Sequence, residues 1–365
     1  MSERVWNFSA GPATMPLPVL EQARDELVAL PGVGASVLEI SHRSRAFEAI
    51  VDETEANLRD LLEIPPTHRV LFLQGGASLQ FAMVPMNLLG DRAAQYVVTG
   101  SWSKKAVAEA RHFGAADVVW DGAGDDYTSV PDLGGLSFDD SAAYVHVTSN
   151  ETIGGVEFPA GFEGHVRGRA PLVCDASSDF LSRPLELSRF GAIYAGAQKN
   201  AGPAGLTIVV LDEALAARAA DGIATILEYR TLIEHRSLYN TPPTFAVYVL
   251  MLVTRWLRDE IGGLDKMAER NEEKAALLYD AIDASDGFYR GHARPEARSR
   301  MNVTWRLPDE GLEETFVDQA RAEGLVELKG HRSVGGIRAS IYNAMPVEGV
   351  RALRTFMDGF AARHA

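Results

Sequence analysis

Short, continuously apolar runs alternate with stretches of helical spacing through the first two thirds of the chain. Residues 70–73, 96–98, 118–120, 143–147, 172–174, 193–197 and 206–211 are too short for helices and read as strands. Helical spacing predicts helices over 18–30, 46–62, 79–89 and 104–113. On the second of these, Phe47, Ile50, Val51, Leu58, Leu61 and Leu62 fall approximately on one face. Strands alternating with helices imply an α/β fold with a mainly parallel, mixed sheet flanked by helices. Asn240-Thr241-Pro242-Pro243-Thr244 then punctuates the chain. A long helical region follows from 245 to about 284, interrupted near Gly262 and Gly263. Strands over 301–307, 326–328 and 337–342, with helices over 313–322 and 347–363, make a smaller α/β unit. The expected organisation is an N-terminal arm (1–15), a large domain (16–258) and a small C-terminal domain (259–365).

Composition narrows the function. Fifty acidic side chains against 35 basic ones give a formal charge of -15, which argues against nonspecific nucleic-acid binding and against an anionic membrane surface. Cys174 is the only cysteine, so no internal disulfide is possible and a reducing, cytoplasmic setting is expected. Residues 1–10 lack the apolar core of a signal peptide, and the most apolar stretch, 245–253, stops at Arg255, too soon to span a bilayer. No metal is expected.

The chemistry gathers where the apolar runs end. In open parallel sheets, ligands bind outside the carboxyl ends of the strands. Here those ends carry Gly75-Gly76-Ala77-Ser78, Gly100-Ser101-Trp102, Asn150-Glu151-Thr152, Asp175-Ala176-Ser177-Ser178 and Gln198-Lys199. Lysine is a surface residue by default. Beside Lys199, however, Ala195, Gly196, Ala197, Ala201 and Gly202 leave room for something large, and a partly desolvated lysine has a lowered pKa and can form a Schiff base. Each of the other tips has an ordinary reading too. The glycine run could be a plain turn, Trp102 core packing and Asp175 a cap. Taken together they supply a phosphate cradle at a helix start, an aromatic plate, a hydroxyl, a carboxylate and an amine, the inventory needed to hold pyridoxal phosphate. Cys174 reads as a small buried residue.

Longer motifs turn this inventory into a resemblance. Asn7-Phe8-Ser9-Ala10-Gly11-Pro12, Ser41-His42-Arg43, Gly75 to Ser78, Ser149-Asn150-Glu151-Thr152-Ile153-Gly154, Ala195 to Pro203, Tyr239 to Phe245, Gly330-His331-Arg332 and Arg338 to Asn343 recur in order. Over essentially its whole length the chain resembles the phosphoserine aminotransferases, in the class V branch of the fold-type I pyridoxal-phosphate enzymes. Some members carry an arginine in the phosphate loop where this chain has Ala77 and Ser78, so its loop should rely on backbone N–H groups and the Ser78 hydroxyl.

The resemblance implies Lys199 as the Schiff-base lysine, Asp175 as partner of the pyridine nitrogen, Trp102 stacked on the ring and Thr152 near the ring hydroxyl. Ala77, Ser78 and Gln198 would bind the phosphate, joined by Asn240 and Thr241 of a second subunit in a homodimer. Arg338 would hold the substrate α-carboxylate, with Ser9 nearby. His42, Arg43, His331 and Arg332 would receive a phosphate or side-chain carboxylate, His42 and Arg43 from across the dimer interface. The implied reaction moves an amino group between L-glutamate (leaving 2-oxoglutarate) and 3-phosphohydroxypyruvate by ping-pong kinetics in serine synthesis. The family often also acts on 4-phosphohydroxy-L-threonine in vitamin B6 synthesis. Class V transaminases of unphosphorylated substrates would not need the Lys329, His331 and Arg332 cluster. A cysteine desulfurase would need a mobile cysteine, a dinucleotide oxidoreductase a complete glycine fingerprint that Gly122-Ala123-Gly124 lacks, and a noncatalytic binding module would not need Lys199.

Overall fold

The computed structural model describes residues 4–365. Seven strands form the central sheet: β1 (His68–Leu73), β2 (Ala94–Val98), β3 (Ala116–Asp121), β4 (Val145–Thr148), β5 (Leu172–Asp175), β6 (Phe190–Gly196) and β7 (Thr207–Asp212). Their order is β1-β7-β6-β5-β4-β2-β3, and β7 alone runs antiparallel to its neighbours. The apolar runs are continuous because both faces are covered. Val70, Phe72, Val145, Val147, Cys174, Ile193, Ile208 and Val210 pack on one side with α2 (Arg45–Leu62) and α5 (Thr244–Arg255), while Leu71, Tyr96, Val98, Val173, Tyr194 and Val209 pack on the other with α3 (Gly76–Leu88) and α4 (Ser101–Ala110).

Local chemistry sets the element ends. Ser44 caps α2 by accepting from the Phe47 N–H. The helix α1 (Leu17–Glu26) stops short of the expected residue 30. Leu27 and Val28 are exposed, so nothing buries a further turn, and Leu30 precedes Pro31, which disfavours the helical conformation. Helices α3 and α4 each begin three residues earlier than their spacing predicts, which draws Ala77, Ser78 and Trp102 into their first turns. The interruption of the long helical region is a π-helical turn, Trp256–Ile261, followed by Gly262 and Gly263 at positive φ, before α6 (Leu264–Asp283). Among the described residues no helix is long and apolar enough to cross a membrane.

A second core forms around α6, α7 (Glu310–Ala322) and α8 (Val347–His364), with Leu278, Ile282, Trp305, Phe316, Phe356 and Phe360 buried between them and a three-stranded antiparallel sheet. That sheet is β8 (Arg290–Gly291), β9 (Asn302–Arg306) and β10 (Ile337–Ser340), with β9 central. The strand Trp6–Asn7 pairs parallel with Leu325–Val326, and Phe8 enters this core.

The two cores meet across a buried seam of amides. The Asn150 side chain donates to Ser178 Oγ and to Asn302 Oδ1, both at 2.8 Å, and Asn302 donates in turn to Ser340 Oγ at 2.9 Å and Tyr342 Oη at 3.1 Å. Asn343 N–H donates to Asn200 Oδ1 at 2.9 Å, and its side chain donates to the Leu181 carbonyl at 2.8 Å. On the second core's side of the seam, the fully buried Lys274 ammonium donates to the Ile341 and Tyr342 carbonyls at 2.8 and 2.7 Å. A buried polar group left without its partner costs about 1–3 kcal/mol. Asn302→Ala takes one of two acceptors from the Asn150 amide and the side-chain donor from Ser340, so it is expected to destabilise the protein by about 2 kcal/mol, read as a lower midpoint of urea unfolding. An unchanged midpoint would contradict the seam's role in holding the cores together.

Candidate active site

Sheet register brings the sequence-distant tips to one edge. Gly196 at the end of β6 lies level with Thr207 of β7, which lies level with Leu73 at the end of β1. Asp175 at the end of β5 sits between Thr148 of β4 and Tyr194 of β6. The residues just beyond these positions are the candidate set around Lys199.

Lys199 is half-buried three residues past β6. Its Nζ donates to Thr152 Oγ1 at 2.6 Å and lies 5.4 Å from the Trp102 ring centroid. Burial pulls its pKa down to about 8, against the upward pull of Asp175 and Glu151, with the Arg338 charge adding to the depression. Asp175 is buried, and burial raises its pKa while hydrogen bonds from Ser177 and the Lys199 charge oppose the rise. Its Oδ1 accepts from the Ser177 N–H at 3.0 Å and the Ser177 hydroxyl at 2.6 Å, and its Oδ2 takes no hydrogen bond among the described residues. The N-terminal segment closes another side. Ala13 N–H donates to the Gln198 carbonyl at 2.9 Å, and a Cβ on Gly11 would lie 3.6 Å from Lys199 Cγ. Ser9, two residues earlier, accepts from the Gly11 N–H at 3.4 Å.

The loop expected to cradle a phosphate is built by glycine. Gly75 and Gly76 have φ of +95° and +66°, and a Cβ on Gly75 would collide with Leu79. No side chain caps α3, so its first-turn N–H groups, Ala77 and Ser78 among them, remain available to an anion. Gln198 crosses close beside Gly196, where a Cβ would lie 2.6 Å from the Gln198 Oε1.

Glu151 was not singled out from the sequence, yet it positions much of this site. It is buried and accepts from the Trp102 N–H at 3.0 Å, the Ser103 N–H at 2.9 Å and the Ser103 hydroxyl at 2.7 Å, capping α4 from another element. Gly100 makes room for it, since a Cβ there would lie 2.6 Å from Glu151 Cδ. Gly100 carries no capping side chain of its own, which is the one local hint that a distant carboxylate does the work. Lys105, also unforeseen, places its ammonium 4.2 Å from the Trp102 ring centroid.

The basic residues divide into two groups. Arg338 on β10 is half-buried, and its guanidinium makes no hydrogen bond or ion pair among the described residues. Desolvation lowers its pKa, and its charge reaches both Lys199 and His331. His331 Nδ1 accepts from the Ser333 N–H at 3.2 Å, so in the neutral ring Nε2 carries the proton. Burial and the charges of Arg338, Arg332 and Lys105 lower the His331 pKa. Arg332 is exposed in the same loop. His42, Arg43, Asn240 and Thr241 form a separate group. Thr241 Oγ1 lies 3.3 Å from His42 Nδ1, Arg43 Nε donates to His42 Nε2 at 3.3 Å, and the group touches the strand tips through Gln74, whose Nε2 donates to the Thr241 carbonyl at 3.2 Å.

This arrangement fits pyridoxal phosphate. A free carboxylate oxygen lies deep at one strand tip, free helix N–H groups at another, and an indole face and a depressed amine between them. Cys174 is wholly buried within β5 and burial pushes its thiol well up, so it is no mobile nucleophile.

Comparison with known proteins agrees. Residues 5–353 match the family model for class-V aminotransferases. A phosphoserine aminotransferase of Laribacter hongkongensis is 55% identical over 361 residues, covering 99% of each chain. One from Rhodopirellula baltica is 52% identical over 365 residues, covering 100% of this chain and 96% of its own. The solved phosphoserine aminotransferase from Bacillus circulans subsp. alkalophilus has a TM-score of 0.96 at 49% identity, covering the whole of both chains. A pyridoxal-phosphate-bound phosphoserine aminotransferase from Trichomonas vaginalis has a TM-score of 0.91 at 39% identity, covering 97% of this chain and 100% of its own. With the family model spanning nearly the whole sequence and full-length relatives sharing about half its residues, the chain belongs to the class-V, pyridoxal-phosphate-dependent aminotransferases.

Proposed function

We propose that the protein transfers an amino group reversibly between L-glutamate and 3-phosphohydroxypyruvate, giving 2-oxoglutarate and O-phospho-L-serine. The observation that carries this reading is the cationic group at the Lys199 site: an unpaired, half-buried Arg338 with His331 and Arg332 beside it, in a protein of net charge -15. A substrate with two anionic ends suits such a site, and arginine matches carboxylate and phosphate with a planar fork.

Bound pyridoxal phosphate supplies an aldehyde for the substrate amine and a ring that withdraws electrons from the substrate Cα. The protein's residues do the rest. Asp175, fixed by Ser177, would offer its free oxygen to the ring nitrogen, and its buried charge would favour the protonated ring. Trp102, oriented by Glu151, would cover one ring face, while Thr152 stands beside the Lys199 amine. Ala77, Ser78 and Gln198 hold the phosphate. Arg338 grips the α-carboxylate near Ser9, and the His331 Nε2–H and the Arg332 guanidinium take the second anion. The free Lys199 amine would take the proton from the substrate Cα as base and give it back as acid. A pKa of about 8 keeps a sizeable share of its amine neutral near physiological pH.

We infer that two copies complete each site. His42, Arg43, Asn240 and Thr241 are grouped with one another and, among the described residues, none of them bonds Lys199. Leu17, Leu20, Leu27, Val28, Val33 and Leu38 are exposed on α1 and the segment after it, an apolar surface suited to a second copy.

Lys199→Ala is expected to abolish turnover with glutamate and 3-phosphohydroxypyruvate and to remove the yellow colour of lysine-held cofactor; full turnover in this variant would end the assignment. The rate at which apoenzyme takes up pyridoxal phosphate should rise with pH and level off above about 8, because the reactive amine is the neutral form; a profile still rising steeply through 10 would contradict a depressed Lys199. Mixing Lys199→Ala with Arg43→Ala protein under subunit exchange should restore activity that neither has alone, since one hybrid site is intact. No restoration, with exchange verified by mass, would mean that Arg43 serves its own subunit's Lys199.

A further inference from the structure

The loop that carries His331 and Arg332 is attached to the fold by few contacts. Gly330 N–H donates to the Gly336 carbonyl at 2.8 Å, and the Val334 and Gly335 N–H groups both turn back to the His331 carbonyl, at 2.9 and 2.8 Å. The two ends of the loop approach so closely that a Cβ on Gly330 would collide with the Gly335 carbonyl. These bonds shape the loop internally but do not fix where it sits.

Two side chains from outside the loop do. The Arg306 guanidinium, at the end of β9, donates through Nη2 to the Val334 carbonyl and through Nη1 to both carboxylate oxygens of Glu313, at 3.3 and 3.2 Å. Glu313, in the first turn of α7, is nearly buried and accepts from the Gly336 N–H at 3.0 Å and from the Leu307 N–H at 3.4 Å. Gly335 and Gly336 are at φ of +69° and +74°, and a Cβ on either would press on Arg306 at 2.7 to 2.9 Å. The glycines therefore admit the guanidinium against the loop backbone. Behind the loop is a cavity of about 670 Å³ lined by Lys329, Arg332, Glu310, Glu314, Asp318 and Arg321, so without these bonds the loop has space to move.

We propose that the Arg306–Glu313 pair is a latch that fixes the position of residues 330–336 and thereby sets the grip of His331 and Arg332 on the substrate's second anionic group. Both latch residues are positioning residues, since neither touches the Lys199 site. The proposal rests on the reading of His331 and Arg332 given under the proposed function. Charge-assisted hydrogen bonds are the stronger kind, and here one carboxylate joins the guanidinium to a loop N–H.

Three variants separate the latch from that reading. In Glu313→Ala the KM for 3-phosphohydroxypyruvate should rise about tenfold with kcat little changed, as expected for the loss of a charge-assisted hydrogen bond. Slow amino transfer from L-alanine, which has no second anion, should be unaffected. Holoenzyme should also be cut faster by trypsin after Arg332 and Lys329, followed by mass. Arg306→Ala should behave alike, and serves where Glu313→Ala does not fold. Arg332→Ala is the control: a raised KM there with an unchanged KM and unchanged cleavage in both latch variants would overturn the latch. An unchanged KM in Arg332→Ala would instead overturn the substrate reading on which it rests.

Discussion

Keeping charge at the edge of a water-poor sheet is the constraint on which this structure turns. Asp175 and Glu151 are both buried carboxylates, and each is held by donors that the fold delivers to it. Ser177 supplies two to Asp175, and the start of α4 supplies three to Glu151. Lys199 lies between them, so the same two charges that resist burial keep its amine from falling further below about 8. A helix start, a strand tip and a lysine thus balance one another electrostatically. The large residues around them, Trp102 above all, are placed by that balance rather than by apolar packing alone.

The amide seam extends the constraint across the molecule. Asn150 adjoins Glu151, Asn200 adjoins Lys199, and Ser340 lies two residues from Arg338 on β10. Asn150 and Asn200 are bonded across the seam to Asn302 and Asn343, and Asn302 is bonded in turn to Ser340 within the small sheet, so a chain of hydrogen bonds links the amine's surroundings to the guanidinium's. Apolar contacts tolerate sliding, whereas amide pairs specify a register. That difference explains why a seam close to the site is polar while the two cores behind it are not.

What could be read from the sequence follows from distance along the chain. The strands, their tips and the gathering of Gly75 to Ser78, Trp102, Asp175 and Lys199 at one edge were legible, because each tip is local and the parallel topology collects them. Helix α1 overran its true end because helical spacing carries no information on burial, and nothing covers Val28. Glu151 was hidden because it caps a helix whose first residue lies 50 positions before it in the sequence. Asn302, Asn343 and Lys274 were hidden likewise, since a polar residue in a strand or helix reads as solvent-facing until its partner is known. The pairing of Trp6–Asn7 with Leu325–Val326 spans almost the entire chain and leaves no local trace.

The loop at residues 330–336 differs from all of this in one respect. The strand tips near Lys199 are tied into the sheet or the seam, so a change there disturbs the surroundings of the amine itself. The loop hangs from two side chains and three glycines, and its residues can be exchanged while Lys199, Asp175 and Arg338 stay as they are. On the proposed reading of His331 and Arg332, it is the segment through which a lineage can drift toward a new amino donor or acceptor without first losing the chemistry at Lys199.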